Sequence, residues 1–424
     1  MPDCWFIVAD DLTGAADSAT AFAHRGLHTQ LLLREASTAE PRPVVLAYDA
    51  DTRRMTPADA AARHRIALQR FGAPDVGIFK KIDSTLRGHL AIEIAAVFHA
   101  LADYARPGFG VCAPAFPAMG RTTVGGRVFV HGKPLEEGET WRREHSYASA
   151  DLGQILASAG IAAVKVPLST IRKGEAILRE EFSRIAQPSP PGSAGVVAIC
   201  DAETDGDLDV IAGASCSASE QPFVIGTAGL AHAIARRIPP AARAAVELEP
   251  DSAGALVVVG SLSSVSRDAA RQLAAMGGVL HQRVRPQTLL DPQCAALRLT
   301  ALGETLHALE AGSDVLLELV DDGEPDLSQA PRLARTLAET FDPALYQLSG
   351  LAVTGGETAA ALLREAFVLR IELIDEIETG VTLGVAQRAR RFPLVTKAGA
   401  FGDAGSLVRA LEKLRMIRTT GIVS

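Results

Sequence analysis

Short apolar runs alternate with segments of helical period along the whole chain. Seven runs have the length of a buried strand: Trp5–Ala9, Val44–Tyr48, Val76–Phe79, Val111–Ala113, Ala255–Val259, Leu351–Val353 and Pro393–Thr396. After the first run, Ala15, Ala19 and Phe22 recur at the spacing of one helix face, which predicts a helix there. Strands that alternate with helices predict an α/β fold in which mostly parallel sheets are flanked by helices.

A change in composition divides this pattern into two series. Residues 236–254 mix prolines, arginines and acidic residues, and a new alternating series begins after them. We therefore expect two domains, over residues 1–236 and 255–424, joined by a linker over residues 237–254. The chain of 424 residues has the length of two or three domains of about 150 residues each.

Charge and composition exclude several classes of protein. The 42 basic and 50 acidic residues give a net charge of −8, so no global field attracts nucleic acid or an anionic membrane. No run of about 20 apolar residues and no secretory signal is found, and the five cysteines are scattered along the chain. We expect a cytoplasmic globular protein with buried thiols, in which any anionic ligand is bound by local groups.

Polar side chains follow each of the first four predicted strands. They are Asp10 and Asp11, then Arg53 and Arg54, then Lys81, Asp83 and Ser84, and finally Arg121. Because the carboxyl ends of parallel strands meet at one edge of a sheet, we expect these groups to converge there. Basic groups would hold a carboxylate and aspartates would accept hydrogen bonds from hydroxyl groups, so the mixture suits a small polyhydroxy acid.

Each of these groups also has a purely structural explanation. The two aspartates could begin the next helix, because acidic residues favour helix N-termini. The two arginines could form a solvated turn, Lys81 and Asp83 could form a structural ion pair, and Arg121 could lie on the surface. All four explanations would have to hold together to remove the predicted site.

In the second half, three predicted strands run into turns rich in glycine or serine, and a helix follows each turn. The turns lie at residues 260–264, 354–358 and 397–403. Such a turn offers backbone N–H groups at the positive end of a helix, which binds phosphate. Three of them in one domain favour a nucleotide site, although turns of this composition occur in α/β proteins of every function. The G-x-x-x-x-G-K-[ST] phosphate loop is absent.

Several segments, in order along the chain, together resemble the four-carbon acid sugar kinase family. They are IVADDLTGA at residues 7–15, KKIDSTLRG at 80–88, APAFP at 113–117 with GRTT at 120–123, GTAGLA at 226–231, GGET at 355–358 and KAGAFG at 397–402. The resemblance implies an ATP-dependent kinase for tetronates such as threonate, erythronate or 3-oxotetronate. It also implies an acid-sugar domain followed by a nucleotide domain, with the active site in the cleft between them. The KKIDSTLRG segment is more similar to the threonate and erythronate kinases than to the 3-oxotetronate kinases.

The resemblance also implies individual site residues. For the acid sugar it implies Asp10, Asp11, Arg53, Lys81, Ile82, Asp83 and Ser84, and Arg121 is added from the strand-end pattern. For ATP it implies Ser261, Gly355, Gly356, Glu357, Thr358, Gly399 and Gly402, and Ser263 is added from the first glycine- and serine-rich turn. Relatives often carry serine and asparagine where this chain has Ala398 and Ala400, and Cys where it has Leu262. We therefore expect backbone contacts at positions 398 and 400.

Kinase chemistry depends mainly on positioning and on charge stabilisation. The expected catalytic residues are Asp10, Asp11, Lys81 and Asp83. One of the three carboxylates accepts the hydroxyl proton, and the lysine neutralises charge. Mg²⁺ would bridge phosphate oxygens and needs oxygen ligands, for which Glu357 and Asp403 are candidates.

Two other functions explain part of the pattern. A metal-dependent aldolase or dehydratase of sugar acids explains the acidic edge but not the three phosphate-type turns. A non-enzymatic sugar-acid sensor explains a two-domain cleft, but no DNA-binding motif accompanies it. The expected partners are an acid sugar and ATP, with a possible homo-oligomer and with no nucleic acid or membrane.

Overall fold

Two structural units form the chain in the computed structural model. The structure describes all residues except 34–42, 105, 188–193, 243–244, 262, 321–328, 389 and 400, and it leaves out the side chains of residues 139, 140 and 143. The first unit contains residues 1–29 and the described residues from 43 to 241. The second contains residues 30–33 and the described residues from 242 to 424. Position 400, where a backbone contact is expected, lies outside the described residues, as does position 262.

The first unit contains most of the helices and strands before residue 241. Its helices are α1 (Leu12–Ala23), α2 (Pro57–Phe71), α3 (Leu90–Ala102), α4 (Glu139–Glu144), α5 (Leu152–Ala157), α6 (Leu168–Ile171), α7 (Glu175–Ile185), α8 (Asp205–Ser217) and α9 (Ala228–Arg236). Its strands are β1 (Trp5–Ala9), β3 (Val45–Asp49), β4 (Gly77–Lys81), β5 (Phe109–Ala113), β6 (Arg121–Val124), β7 (Arg127–Val130), β8 (Lys133–Pro134), β9 (Ala162–Val166), β10 (Val196–Cys200) and β11 (Phe223–Gly226). A further strand, β2 (Thr29–Leu32), begins at the last residue of the unit's first segment.

A parallel sheet forms the centre of the first unit. Its strand order is β3-β1-β4-β11-β5-β10-β9, and neighbouring strands pair in parallel. Every residue of β1 is buried, as expected for a strand covered by helices on both faces. Strands β6, β7 and β8 form a separate antiparallel sheet, which the sequence pattern did not predict.

Seven sheet strands form the centre of the second unit. Its helices are α10 (Ser264–Ala275), α11 (Pro286–Leu290), α12 (Ala295–Glu310), α13 (Ala330–Phe341), α14 (Gly356–Glu365) and α15 (Ser406–Thr420). Its strands are β12 (Val246–Glu247), β13 (Ala255–Val259), β14 (Val279–Val284), β15 (Asp314–Leu319), β16 (Gly350–Thr354), β17 (Arg370–Glu378), β18 (Val381–Gln387), β19 (Phe392–Lys397) and β20 (Ile422–Val423). The sheet order is β14-β15-β13-β16-β19-β18-β17, parallel through β19 and antiparallel beyond it. The expected α/β class with mostly parallel sheets is therefore confirmed.

All seven predicted strands are present, and their ends differ from the prediction by at most two residues. The five cysteines are free, but only Cys112 and Cys200 are buried, so the expectation of buried thiols is wrong for the other three, which are half-buried. Each helix in the described part of the chain is too short or too polar to span a lipid bilayer.

Candidate active site

The carboxyl end of β1 carries two aspartates with different roles. Asp11 is the N-cap of α1, and its carboxylate accepts hydrogen bonds from Gly14 N at 3.1 Å and from Thr13 Oγ1 at 2.8 Å. The helix-start explanation is therefore correct for Asp11. Asp10 caps nothing: it is 2% exposed, and its Oδ1 atom is buried without a hydrogen-bond partner among the described residues. A buried acceptor without a partner is costly and suits a ligand donor.

Arg53 connects three carboxylates at this sheet edge. Its Nε donates to Asp10 Oδ2 at 2.9 Å, and its Nη2 lies 3.2 Å from Asp11 Oδ1. The same Nη2 lies 3.5 Å from Asp83 Oδ1. These contacts exclude a solvated turn as the explanation for Arg53, and they confirm that the ends of the first three predicted strands converge. We call Asp10, Asp11, Arg53 and Asp83 the carboxylate cluster.

Asp83 is held by the loop that follows it. Its Oδ2 accepts hydrogen bonds from Thr85 Oγ1 at 2.5 Å and from Arg87 Nε at 2.9 Å, and its Oδ1 accepts from Arg87 Nη2 at 3.0 Å. Lys81 is not its ion-pair partner, because Lys81 Nζ donates to the carbonyl oxygen of Ile82 at 2.9 Å. The ion pair suggested for Lys81 and Asp83 is therefore replaced by pairs with arginines.

The three aspartates differ in acidity. Burial opposes ionisation of Asp83, but Arg87 and Arg53 outweigh it and hold the pKa of Asp83 well below its usual value. Burial likewise opposes ionisation of Asp11, yet Arg53 and Lys81 lower its pKa. Burial dominates at Asp10 and raises its pKa despite Arg53. Asp10 is thus the best proton acceptor of the three, because it is the most basic and because its Oδ1 atom accepts no hydrogen bond among the described residues.

The other residues predicted for the acid sugar occupy different positions. The Ile82 side chain is buried in the core, and its backbone N–H donates to Gly226 O at 2.9 Å, so both its backbone groups are used within the fold. Ser84 is half-buried in the loop after β4. Arg121 begins β6, where burial lowers the pKa of its guanidinium and the nearby charge of Asp83 opposes that shift. Arg121 is therefore within electrostatic reach of the carboxylate cluster.

Sequence reasoning missed two residues beside this cluster. Arg87 binds Asp83 and also donates from Nη1 to Glu144 Oε2 at 3.2 Å. Arg87 lies within the KKIDSTLRG segment and could have been included on that basis. Glu144 is 57 residues away in sequence, and no local pattern indicates its proximity.

The three glycine- and serine-rich turns of the second unit contact one another. Ser263 Oγ donates to Gly399 O at 2.5 Å, which joins the first turn to the third. Gly355 N donates to Lys397 O at 3.0 Å, which joins the second turn to the third. A Cβ atom at Gly399 would lie 2.3 Å from Ser261 Oγ, so only glycine fits there without a shift of that side chain. The three turns therefore lie close together in the second unit.

The helix that follows the second turn has an open N-terminus. Gly355 has φ of +91°, a conformation that favours glycine, and no side chain caps α14. The first turn of α14 is therefore a candidate for binding an anion through its backbone N–H groups. In contrast, α10 is already capped, because Ser263 Oγ accepts a hydrogen bond from Ser266 N at 3.2 Å. The structure thus favours the second turn over the first as the phosphate site.

The third turn is held by charged groups. Ser406 and Arg409 both donate to Glu378, and a Cβ atom at Gly402 would lie 2.2 Å from Ser406 Oγ. Asp403 Oδ1 accepts hydrogen bonds from Gly405 N and Arg409 Nη2, each at 2.7 Å. Of the two candidate magnesium ligands, Asp403 is therefore engaged in hydrogen bonds within the third turn. Glu357 is exposed in the first turn of α14.

Comparisons with known proteins match both halves of the chain. A family model described as a sugar-binding N-terminal domain matches residues 5–234, and one described as a nucleotide-binding C-terminal domain matches residues 256–407. A D-threonate kinase from Cupriavidus necator is 38% identical, with 97% of this chain and 98% of that protein covered. The chain belongs to the four-carbon acid sugar kinase family. The resemblance described from its motifs is thereby confirmed, as is its assignment as a phosphotransferase with an alcohol acceptor.

More distant relatives agree with this family membership. A D-erythronate kinase from Heliobacterium modesticaldum is 25% identical, with 96% of each chain covered. A crystal structure from Salmonella typhimurium LT2 is 22% identical, covers 96% of this chain and 98% of its own, and has a TM-score of 0.77, which shows the shared fold. As a kinase, the protein uses a nucleotide phosphate donor. The aldolase, dehydratase and sensor alternatives are left without support.

Proposed function

We propose that this kinase transfers the γ-phosphoryl group of ATP, with Mg²⁺, to a hydroxyl group of a tetronate. D-threonate is the favoured substrate, D-erythronate is the second, and 3-oxotetronate is the third. The single observation that carries the proposal is the buried, unpartnered Oδ1 atom of Asp10 beside Arg53. The 38% identity to a D-threonate kinase, against 25% to a D-erythronate kinase and 28% to a 3-oxo-tetronate kinase, supports D-threonate as the first choice. The KKIDSTLRG segment supports placing 3-oxotetronate last.

In the proposed reaction, Asp10 Oδ1 accepts the proton of the substrate hydroxyl. The hydroxyl oxygen forms a bond to the γ-phosphorus, and the bond from that phosphorus to the β–γ bridging oxygen breaks. The electron pair of the broken bond leaves with ADP. Arg53 keeps the Asp10 carboxylate oriented through the bond at 2.9 Å, and Lys81 neutralises charge that develops on the transferring group.

The substrate carboxylate needs a cation near the carboxylate cluster. Arg53 and Arg87 are both paired with aspartates. Lys81 Nζ donates to the carbonyl oxygen of Ile82 at 2.9 Å, and Arg121 is within electrostatic reach of Asp83. We therefore assign carboxylate binding to Lys81 and Arg121, and hydroxyl binding to Asp10, Asp11 and Ser84.

The nucleotide phosphates are assigned to the backbone N–H groups at the start of α14. The open helix end, the positive φ of Gly355 and the close approach at Gly399 fit a polyphosphate. Ser261 and Gly402 line the adjoining turns. Mg²⁺, when bound, neutralises charge on the phosphate oxygens, and Glu357 is the carboxylate placed to hold it directly or through water. We assign the acid-sugar domain to residues 1–236, the linker to 237–254 and the nucleotide domain to 255–424.

A coupled assay of ADP release tests the proposal. The purified protein is given ATP and each of D-threonate, D-erythronate and 3-oxotetronate, with Mg²⁺ or with EDTA. We expect the highest kcat/KM with D-threonate and no turnover in EDTA. ADP release no faster with any tetronate than with ATP alone would overturn the proposal. A cytoplasmic location and a homo-oligomer stay predictions. Light scattering measures the oligomeric state.

A further inference from the structure

A second group of charged residues lies next to the carboxylate cluster, and the proposed reaction does not use it. It consists of Lys80, Glu93, Thr52 and His64, and all four side chains are buried. Lys80 directly precedes Lys81 on β4, so strand alternation directs the two side chains to opposite faces of the sheet. We call these four residues the Lys80 network.

Glu93 on α3 is the centre of the Lys80 network. Its Oε2 atom lies 2.8 Å from Lys80 Nζ, and its Oε1 atom accepts a hydrogen bond from Thr52 Oγ1 at 2.6 Å. Lys80 Nζ also donates to the carbonyl oxygen of Lys81 at 2.9 Å. The backbone N–H of Thr52 donates to the carbonyl oxygen of Asp10 at 3.1 Å. The Glu93 carboxylate thus joins the segments of Lys80 and Thr52, and the Thr52 backbone joins them to a third segment, that of Asp10.

Those three segments carry the acid-sugar site. The first ends in Asp10, the second continues from Thr52 into Arg53, and the third contains Lys81. A buried ion pair is on average no more stabilising than apolar side chains of the same size, so stability alone does not account for this one. The hydrogen bonds of the Lys80 network instead hold the backbone next to Asp10, Arg53 and Lys81.

Resting on the function proposed above, we propose that Lys80 and Glu93 are positioning residues of the acid-sugar site, which act through the backbone of Asp10, Thr52 and Lys81. Neither side chain touches the substrate. The network fixes the distance between the proton acceptor on one segment and the cations on the other two.

The charges of the network also act on Asp10 directly. The titratable and charged groups that influence Asp10, or are influenced by it, are Arg53, Asp11, Lys80, Glu93 and Tyr147. Burial raises the pKa of Asp10, Lys80 opposes that rise, and Glu93 adds to it. Removal of the lysine charge therefore raises this pKa further, whereas removal of the glutamate charge lowers it. A purely structural role would not produce shifts of opposite sign.

Lys80→Met and Glu93→Gln test both parts of the proposal. The measurements are kcat, the KM values for D-threonate and ATP, and the pH profile of kcat/KM for D-threonate. We expect the KM for D-threonate to rise about tenfold in each variant, which corresponds to about 1.4 kcal/mol, with the KM for ATP within about twofold of wild type. We expect the acidic limb of the profile to move up in pH for Lys80→Met and down in pH for Glu93→Gln.

A gentler pair of variants covers the case in which these two fail to fold. Thr52→Val removes the hydroxyl that reaches Glu93 without changing any charge, and Thr52→Ser keeps a hydroxyl at the same place. We expect a raised KM for D-threonate in Thr52→Val and near-normal values in Thr52→Ser. Equal KM values for D-threonate in Thr52→Val and Thr52→Ser would overturn the proposal. So would folded Lys80 and Glu93 variants whose acidic limbs stay at the wild-type pH or move in the same direction. Wild-type protein that turns over no tetronate would instead overturn the proposed function.

Discussion

Replacing Asp10 with Asn separates the activity of this buried carboxylate from its effect on stability. The substitution keeps the shape and an oxygen that accepts from Arg53, but it removes the basic oxygen to which the hydroxyl proton is assigned. A positioned general base contributes about 10²- to 10⁴-fold to the rate, so kcat should fall by that factor. This loss corresponds to about 3–5 kcal/mol in the activation free energy.

The structure predicts a different outcome for stability. Burial raises the pKa of Asp10 in the folded protein, so the ionised side chain makes folding less favourable at neutral pH. That penalty is fully present above the folded pKa and disappears below the unfolded value of 3.8. Asp10→Asn should therefore unfold at the same temperature as wild type or higher at pH 7, and the difference should shrink towards pH 4.

Asp83→Asn is the matched control. Asp83 is also buried, but its pKa is held well below the usual value by Arg87 and Arg53, so its charge stabilises the folded state above the unfolded pKa. Loss of a buried, paired charge costs about 3–5 kcal/mol, and this variant should unfold at a lower temperature. The assays are ADP release with D-threonate and thermal unfolding at pH 7. The reasoning is refuted if Asp10→Asn keeps kcat within about threefold of wild type, or if it unfolds at a lower temperature than Asp83→Asn.

Three further predictions concern the second unit. Gly399→Ala should raise the KM for ATP and leave that for D-threonate unchanged, because its Cβ would lie 2.3 Å from Ser261 Oγ; Gly303→Ala, with nothing within 4 Å, is the control that should leave both KM values unchanged. Burial lowers the pKa of Lys397 to about 8 from 10.5. The free energy of unfolding, measured with urea, should therefore rise between about pH 8 and pH 10.5, and Lys397→Met should remove this rise. Asp314 accepts hydrogen bonds from Arg415 Nε at 2.6 Å and from Arg418 Nη1 at 3.0 Å. Asp314→Asn should therefore destabilise the protein by about 3–5 kcal/mol in the same assay and leave the KM values unchanged. A variant as stable as wild type would contradict this prediction.

Local pattern was sufficient for the central strands and insufficient elsewhere. Trp5–Ala9 and Ala255–Val259 are predicted to the residue because a continuous apolar run ends at polar residues or glycine in each. Strand β17 was missed because register shifts between Leu373 and Asp375 interrupt its alternation of apolar and polar residues. The β6–β7 hairpin could have been predicted, since its two-residue Gly-Gly turn is a hairpin signal.

The candidate site was also only partly predictable from local sequence pattern. Its strand-end residues follow from the sequence because parallel strands bring their carboxyl ends together. The contrast between Lys80, buried against Glu93, and Lys81, near Gly14, follows from alternation, but the identity of their partners does not. The different acidities of Asp10 and Asp83 depend on burial and on arginines from separate segments, which only the folded chain brings together.

A crystal structure with ADP and D-threonate would test the assignment of acid-sugar binding to the first unit and of phosphate binding to the second. The phosphate oxygens of ADP should accept hydrogen bonds from the backbone N–H groups of residues 356–358, and a hydroxyl of D-threonate should lie on Asp10 Oδ1. ADP bound beside Lys81, with the turn at Gly355 empty and facing solvent, would contradict the assignment of phosphate binding to the second unit.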